Sequence, residues 1–236
     1  MTNLSVNINK IATLRNSRGG RFPDVLNAAR KCQDFGADGI TIHPRPDQRH
    51  ITRDDAYALK DVVTKEYNIE GFPSKDFIEI VTKILPTQVT LVPDPPNILT
   101  SNNGWDTNKN FIFLSDIIEE LHTHNIRVSI FVNPALEMVE GAKKCNSDRI
   151  ELYTEAYCNS FKEDKKKAIQ PYIQSAELAE NLKLGVNAGH DLNLDNLQYF
   201  AKNIPNLEEV SIGHALISDA LYLGLENTIQ MYKRLL

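Results

Sequence analysis

The chain has 236 residues, 42% apolar and 24% charged, with 11 Gly and 11 Pro; this length suits one large domain, and this composition excludes a disordered or collagenous chain. The 26 Lys and Arg against 31 Asp and Glu leave a formal charge of -5, which argues against a nucleic-acid partner, because phosphate backbones are bound through an excess of cations. No apolar run reaches the ~18–20 residues of a membrane span, and the opening Met-Thr-Asn-Leu lacks the basic-then-apolar order of a signal peptide, so a cytoplasmic protein with no membrane partner is expected.

In chain order, short β-branched runs at 4–8, 39–43, 67–71, 88–92, 127–132, 149–154, 183–188 and 207–212 read as strands. They alternate with helical periodicity at 23–35, 53–65, 74–84, 114–124, 135–144, 163–181, 193–203 and 215–235. Eight β-α units in this length predict an α/β fold, a single-domain (β/α)8 TIM barrel over 1–236. A doubly wound open sheet is the alternative, disfavoured because no G-x-G-x-x-G follows the first strand. Three segments break the rhythm: 9–22 delays the first helix, 93–110 is rich in Pro, Asn and Gly, and 155–165 is a polar excursion after the sixth strand. In a barrel these extra segments lie on the C-terminal face, where active sites are built. Residues 93–110 read as a lid over the mouth, with Trp105, the only tryptophan, as its reporter. Cys32, Cys145 and Cys158 form no CxxC pair and read as packed thiols.

Residues two apart share a strand face. Followed out of the strands, this parity makes Asn7 with Asn9, Thr41 with His43 and Arg45, Asn68 with Glu70, Glu151 with Tyr153, and Ser211 with Gly213 polar sets at strand C-termini. Barrel interiors usually take branched apolar residues, so a polar ring at one end points to a site. His43-Pro-Arg45-Pro-Asp47-Gln-Arg49-His50 concentrates imidazoles and guanidiniums that suit an anion. Arg15 and Arg18 could add to that charge. Late in the chain, Gly-His follows two strands, at Gly189-His190 and Gly213-His214, the place where barrels commonly bind phosphate. His122 and His124 near a helix C-terminus read as surface groups. His43, Glu70, Glu151 and His190 could instead ligate Zn or Fe, but no close H-x-H or H-E-x-x-H spacing supports this, and no metal is expected.

The segments VNINKIATLRNSRGG, GADGITIHPRPDQRHI, LVPD followed by LTSNNGWD, RIELYT, GVNAGHDL and VSIGHALI together resemble the pyridoxine 5'-phosphate synthase family of vitamin B6 biosynthesis. The resemblance implies a (β/α)8 barrel, a homo-octamer, and condensation of 3-amino-2-oxopropyl phosphate with 1-deoxy-D-xylulose 5-phosphate, without a metal or redox cofactor. It implies Asn7, Arg18, Gly213 and His214 as contacts to the amino-ketone phosphate and Arg45, His50 and Thr100 as contacts to deoxyxylulose phosphate. Glu70 and His43 resemble the proton acceptors, His190 the proton donor, and Glu151 a carboxylate that stabilises a transition state. The chain departs from the best-known members at Asn9-Lys10, where they carry Asp-His, and at Asp191, where they carry Gly. Asn9 is expected to hydrogen-bond a substrate hydroxyl, Lys10 to offset phosphate charge, and Asp191 to offer its backbone N–H to the ligand while its side chain caps the helix starting near Asn193. A metal-dependent epimerase or aldolase of the same fold, and a phosphometabolite-binding protein without turnover, are the competing readings.

Overall fold

The computed structural model describes residues 2–94 and 103–236. Eight parallel strands, β1 (Asn3–Asn7), β2 (Gly39–Ile42), β3 (Glu66–Gly71), β4 (Gln88–Leu91), β5 (Arg127–Val132), β6 (Arg149–Tyr153), β7 (Gly185–Gly189) and β8 (Leu207–Ile212), close into a barrel in sequence order. β8 pairs back onto β1, with Ser5 beside Ser211. Around the barrel run α1 (Asn9–Asn16), α2 (Val25–Asp34), α3 (Arg53–Leu59), α4 (Lys75–Ile84), α5 (Phe111–Thr123), α6 (Leu136–Lys144), α7 (Glu155–Asn181), α8 (Leu197–Asn203), α9 (His214–Leu223) and α10 (Leu225–Lys233). The chain is the (β/α)8 barrel its periodicity predicts. Among the described residues, no helix is long and apolar enough to cross a membrane.

Local chemistry sets the helix starts. Asp24 accepts the Asn27 N–H at 2.7 Å, Thr52 and Asp55 form a reciprocal capping box, and Ser74 accepts the Phe77 N–H, each satisfying donors the first helical turn leaves open. Three expectations about helices are corrected. The segment expected to delay the first helix is itself α1, stabilised because Ile8 and Ala12 bury one turn apart. The polar excursion at 155–165 is helical, with Tyr157 and Phe161 one turn apart and meeting edge-to-face at 5.4 Å; α7 kinks at Asp164, whose Oδ1 accepts the Lys166 and Lys167 N–H groups. The last helix is broken in two at Gly224, where φ is +79°, a backbone state that glycine adopts without steric cost.

The barrel interior also departs from expectation. Its branched residues face outward: Leu4, Val6, Ile40, Ile42, Ile69, Val89, Leu91, Val128, Ile130, Ile150, Leu152 and Val210 pack with the helices in one fully buried core. Burying one such side chain contributes about 1.5–3 kcal/mol. The opposite parity places Ser5, Thr41, Asn68 and Thr90 inside, and they hydrogen-bond in series around β1 to β4, Ser5 to Thr41 at 2.7 Å, Asn68 to Thr41 at 3.3 Å and Thr90 to Asn68 at 3.0 Å. The polar residues therefore line the barrel through its depth rather than only its rim. Near the N-terminal ends of the strands Arg127 pairs with Glu66, Arg149 with Glu208, and Asn187 donates to Glu209.

Candidate active site

Glu70, near the C-terminal end of β3, sits at the centre of the mouth. Asn7 from β1 donates to its Oε2 and Ser211 from β8 to its Oε1, both at 3.4 Å, and His43 Nδ1 lies 4.0 Å away. Burial raises the Glu70 pKa to about 7, against the opposing charge of His190 and the Ser211 hydrogen bond. At neutral pH this carboxyl can therefore both take and return a proton. Glu151 on β6 is 4% exposed; burial and then the Glu70 charge push it well above the usual carboxylate range. A carboxyl raised in this way holds its proton more readily than an exposed one. Its carboxyl lies so close to the β7 backbone that a side chain at Gly189 would overlap Oε1.

His43 leaves β2 directly into the mouth. Its backbone N–H donates to Asn9 Oδ1 at 2.9 Å, and the Asn9 N–H donates to Asn7 Oδ1 at 3.1 Å. The visible work of Asn9 is thus to tie the start of α1 to His43. Burial first, then the nearby Arg45 and His50, hold the His43 pKa well below its ordinary value, so the imidazole is neutral and basic in form. His50, 6.1 Å from His43 between ring centres, is lowered to about 4 by burial and by Arg45, Lys10 and Arg49. Its Nδ1 accepts the Ile51 N–H at 3.0 Å, which leaves the proton on Nε2 as a donor suited to an anion.

The positive charge of the expected basic cluster is partly compensated by acids. Arg45 is buried and pairs with Asp94 at 2.8 Å, while Arg49 pairs with Asp47. Arg15 is taken out of the anion site altogether: it forks onto Asp55 at 2.5 and 2.7 Å and joins α1 to α3. Asp94, which parity reasoning passed over, is the residue the sequence reading missed; its signal was a lone acid following strand four.

On the β7 side His190 packs edge-on against Tyr153 at 5.0 Å and its Nδ1 lies 2.8 Å from Asp191 Oδ2. The expectation that the Asp191 side chain caps a helix is corrected. Asn196 Oδ1 takes the Asn193 N–H, and the Asp191 carboxylate turns to His190 instead. Gly213, between β8 and α9, approaches so closely that a Cβ would lie 3.0 Å from that of Asn7. His214 opens α9 exposed, and Lys10 and Arg18 are exposed beside the mouth and on the turn after α1. Arg18 is not drawn into the buried cluster. Thr100 lies outside the described residues, as does 95–102 of the expected lid. Trp105 does not sit on a free flap: it is 5% exposed, stacks on Phe72 at 5.8 Å and donates Nε1–H to the Leu91 carbonyl at 3.1 Å. Cys32 and Cys145 are buried and Cys158 half-buried, all as free thiols. Among the described residues, no group of three or more His, Cys, Asp or Glu is arranged to hold a metal ion.

Acid, base and amide groups converge on the C-terminal mouth of a closed barrel, the face on which (β/α)8 enzymes build their active sites. The family model described as "Pyridoxal phosphate biosynthesis protein PdxJ" matches residues 4–236. The chain belongs to this family and is an enzyme of vitamin B6 biosynthesis. Among its relatives are the pyridoxine 5'-phosphate synthases of Cytophaga hutchinsonii, 62% identical over 234 residues with 99% of this chain and 98% of the relative covered, and of Bacteroides fragilis, 58% identical over 236 residues with both chains covered in full. Solved structures with the same fold include phosphoribosylanthranilate isomerase from Thermotoga maritima, at TM-score 0.62 and 14% identity over 100% of this chain and 98% of that one. Thiamine phosphate pyrophosphorylase from Pyrococcus furiosus reaches TM-score 0.63 at 13% identity over 99% and 94%.

Proposed function

We propose that the chain is a pyridoxine 5'-phosphate synthase that condenses 3-amino-2-oxopropyl phosphate with 1-deoxy-D-xylulose 5-phosphate, releasing inorganic phosphate and water. The observation that carries this reading is Glu70, a carboxyl with a pKa of about 7 placed between a neutral imidazole, His43, and a second imidazole, His190. Imine formation, dehydration, phosphate loss and ring closure move protons at several atoms, so more than one tuned acid–base group is required.

In this reading Glu70 and His43 accept protons, His190 supplies one, and the buried carboxyl group of Glu151 stabilises a transition state. Arg45, Nε2–H of His50 and Thr100 hold the deoxyxylulose phosphate, with Lys10 adding positive charge. Asn7, Arg18, His214 and the close-lying backbone of Gly213 hold the amino-ketone phosphate, and the backbone N–H of Asp191 serves the ligand. Asn9 contributes through its hold on His43 and a substrate hydroxyl. The substrate brings its own amine, so no lysine nucleophile is needed, and neither a metal nor a redox cofactor is invoked. The site is proposed to work within a cytoplasmic homo-octamer. Phe22, Leu221 and Tyr222, exposed by 83%, 71% and 89%, support burial against further copies, and light scattering measures the assembly. Mixing the protein with both substrates should generate the ultraviolet absorbance of pyridoxine 5'-phosphate together with free phosphate in equal amount. Absence of both products from folded protein would refute the assignment.

A further inference from the structure

Residues 190 and 191 both adopt left-handed backbone, with φ of +82° and +60°, a conformation uncommon outside glycine and concentrated at functional positions. The surrounding structure holds them there. Thr154 Oγ1 donates to the Gly189 carbonyl at 2.8 Å and also to that of His190. Asn193 and Asn196 donate to the Asp191 carbonyl at 3.3 and 3.4 Å. The pinned turn brings two consecutive side chains onto each other, which neighbouring residues in regular structure do not do.

We infer that Asp191 is a positioning residue for the proposed proton donor: its carboxylate accepts Nδ1–H of His190 at 2.8 Å and fixes the ring, which packs edge-on against Tyr153. This inference rests on the role of His190 given above. A carboxylate so placed selects one tautomer of a neutral imidazole and stabilises the imidazolium. The groups facing the pair are mixed. Glu155, which accepts the Tyr153 hydroxyl at 2.5 Å, and Glu70 favour the charged ring, as does Asp191 itself. Burial opposes it as the largest single influence, yet the pKa of His190 is raised overall. His214 from α9 acts on Asp191, Cys158 from α7 approaches the His190 carbonyl at 4.0 Å, and Asp94 acts on Tyr153. Asp191 in turn is lowered, chiefly by its hydrogen bond to His190, so each member of the pair favours the charged form of the other.

Two substitutions test this without disturbing the turn. Glycine adopts φ near +60° freely, and asparagine tolerates it better than other side chains. Asp191→Asn keeps an acceptor but loses the charge, and Asp191→Gly loses both. The expected result is a pH profile of kcat/KM whose alkaline limb moves to lower pH in both variants. Activity then falls on the order of tenfold on the alkaline side and much less on the acid side, since one adjacent charge typically shifts a titration by about one unit or more. A uniform loss at every pH, equal in the two variants, would mean a merely structural role and overturn the inference. His190→Asn separates the two layers: near-wild-type turnover there removes His190 as donor and the inference with it. An inactive His190→Asn beside a wild-type pH profile for Asp191→Asn overturns the inference about Asp191 alone.

Discussion

Arg45 and Asp94 form a buried ion pair at 2.8 Å, with side chains only 5% and 2% exposed, where the loops after β2 and β4 meet at the mouth. Asp94 thus orients a guanidinium that the proposed reaction uses on a phosphate, and it ties two segments of the site together. Removing one partner of a buried pair leaves an uncompensated charge and typically costs 3–5 kcal/mol. Asp94→Asn is therefore expected to lose about 3 kcal/mol or more in urea unfolding and to raise KM for deoxyxylulose phosphate more than it lowers kcat. Unchanged stability would show that the pair contributes little.

Glu70→Gln should lower turnover by about 10²–10⁴-fold while leaving substrate binding largely intact, because it removes a proton carrier and keeps the shape and the donor–acceptor contacts. The same variant reports on linkage. Between about pH 4.5 and about pH 7 the unfolded carboxyl has lost its proton and the folded one retains it, so this group makes stability fall as pH rises through that window. Fixed neutral, Gln should flatten that part of the stability curve, measured by urea midpoints across pH.

Gly189→Ala should be strongly damaging, since a Cβ at 189 overlaps the buried Glu151 carboxyl. The loss should shrink by about 1–3 kcal/mol in a Glu151→Ala background, because contacting residues couple in double-mutant cycles. Additive losses in urea unfolding would place the strain elsewhere.

Lys10→Met should raise KM for a phosphorylated substrate with little change in kcat, as expected of an exposed charge beside the mouth, and it should raise the His50 pKa that Lys10 helps to lower. Borohydride added during turnover should trap no adduct on Lys10; mass spectrometry of the reduced protein is the check.

The barrel was legible from the sequence because alternation of strand and helix periods is a local property, and each β-α unit carries its own. The same parity that marks a strand also aligned Asn7, His43, Glu70 and Glu151 on one face, so the residues gathered at the mouth were nameable before any distance was known. Parity says which residues share a face, but not which face turns inward. Closure of the barrel decided that, with the branched residues packing on the helices and Ser5, Thr41, Asn68 and Thr90 inside. Partner choice was likewise beyond the sequence. Arg15 lies 40 positions from Asp55 and Arg45 lies 49 from Asp94, so only tertiary structure could show that one arginine is a strut between helices and the other a paired group at the site. Even the adjacent His190 and Asp191 needed it, because consecutive side chains meet only when the backbone takes the left-handed turn that Thr154, Asn193 and Asn196 hold in place.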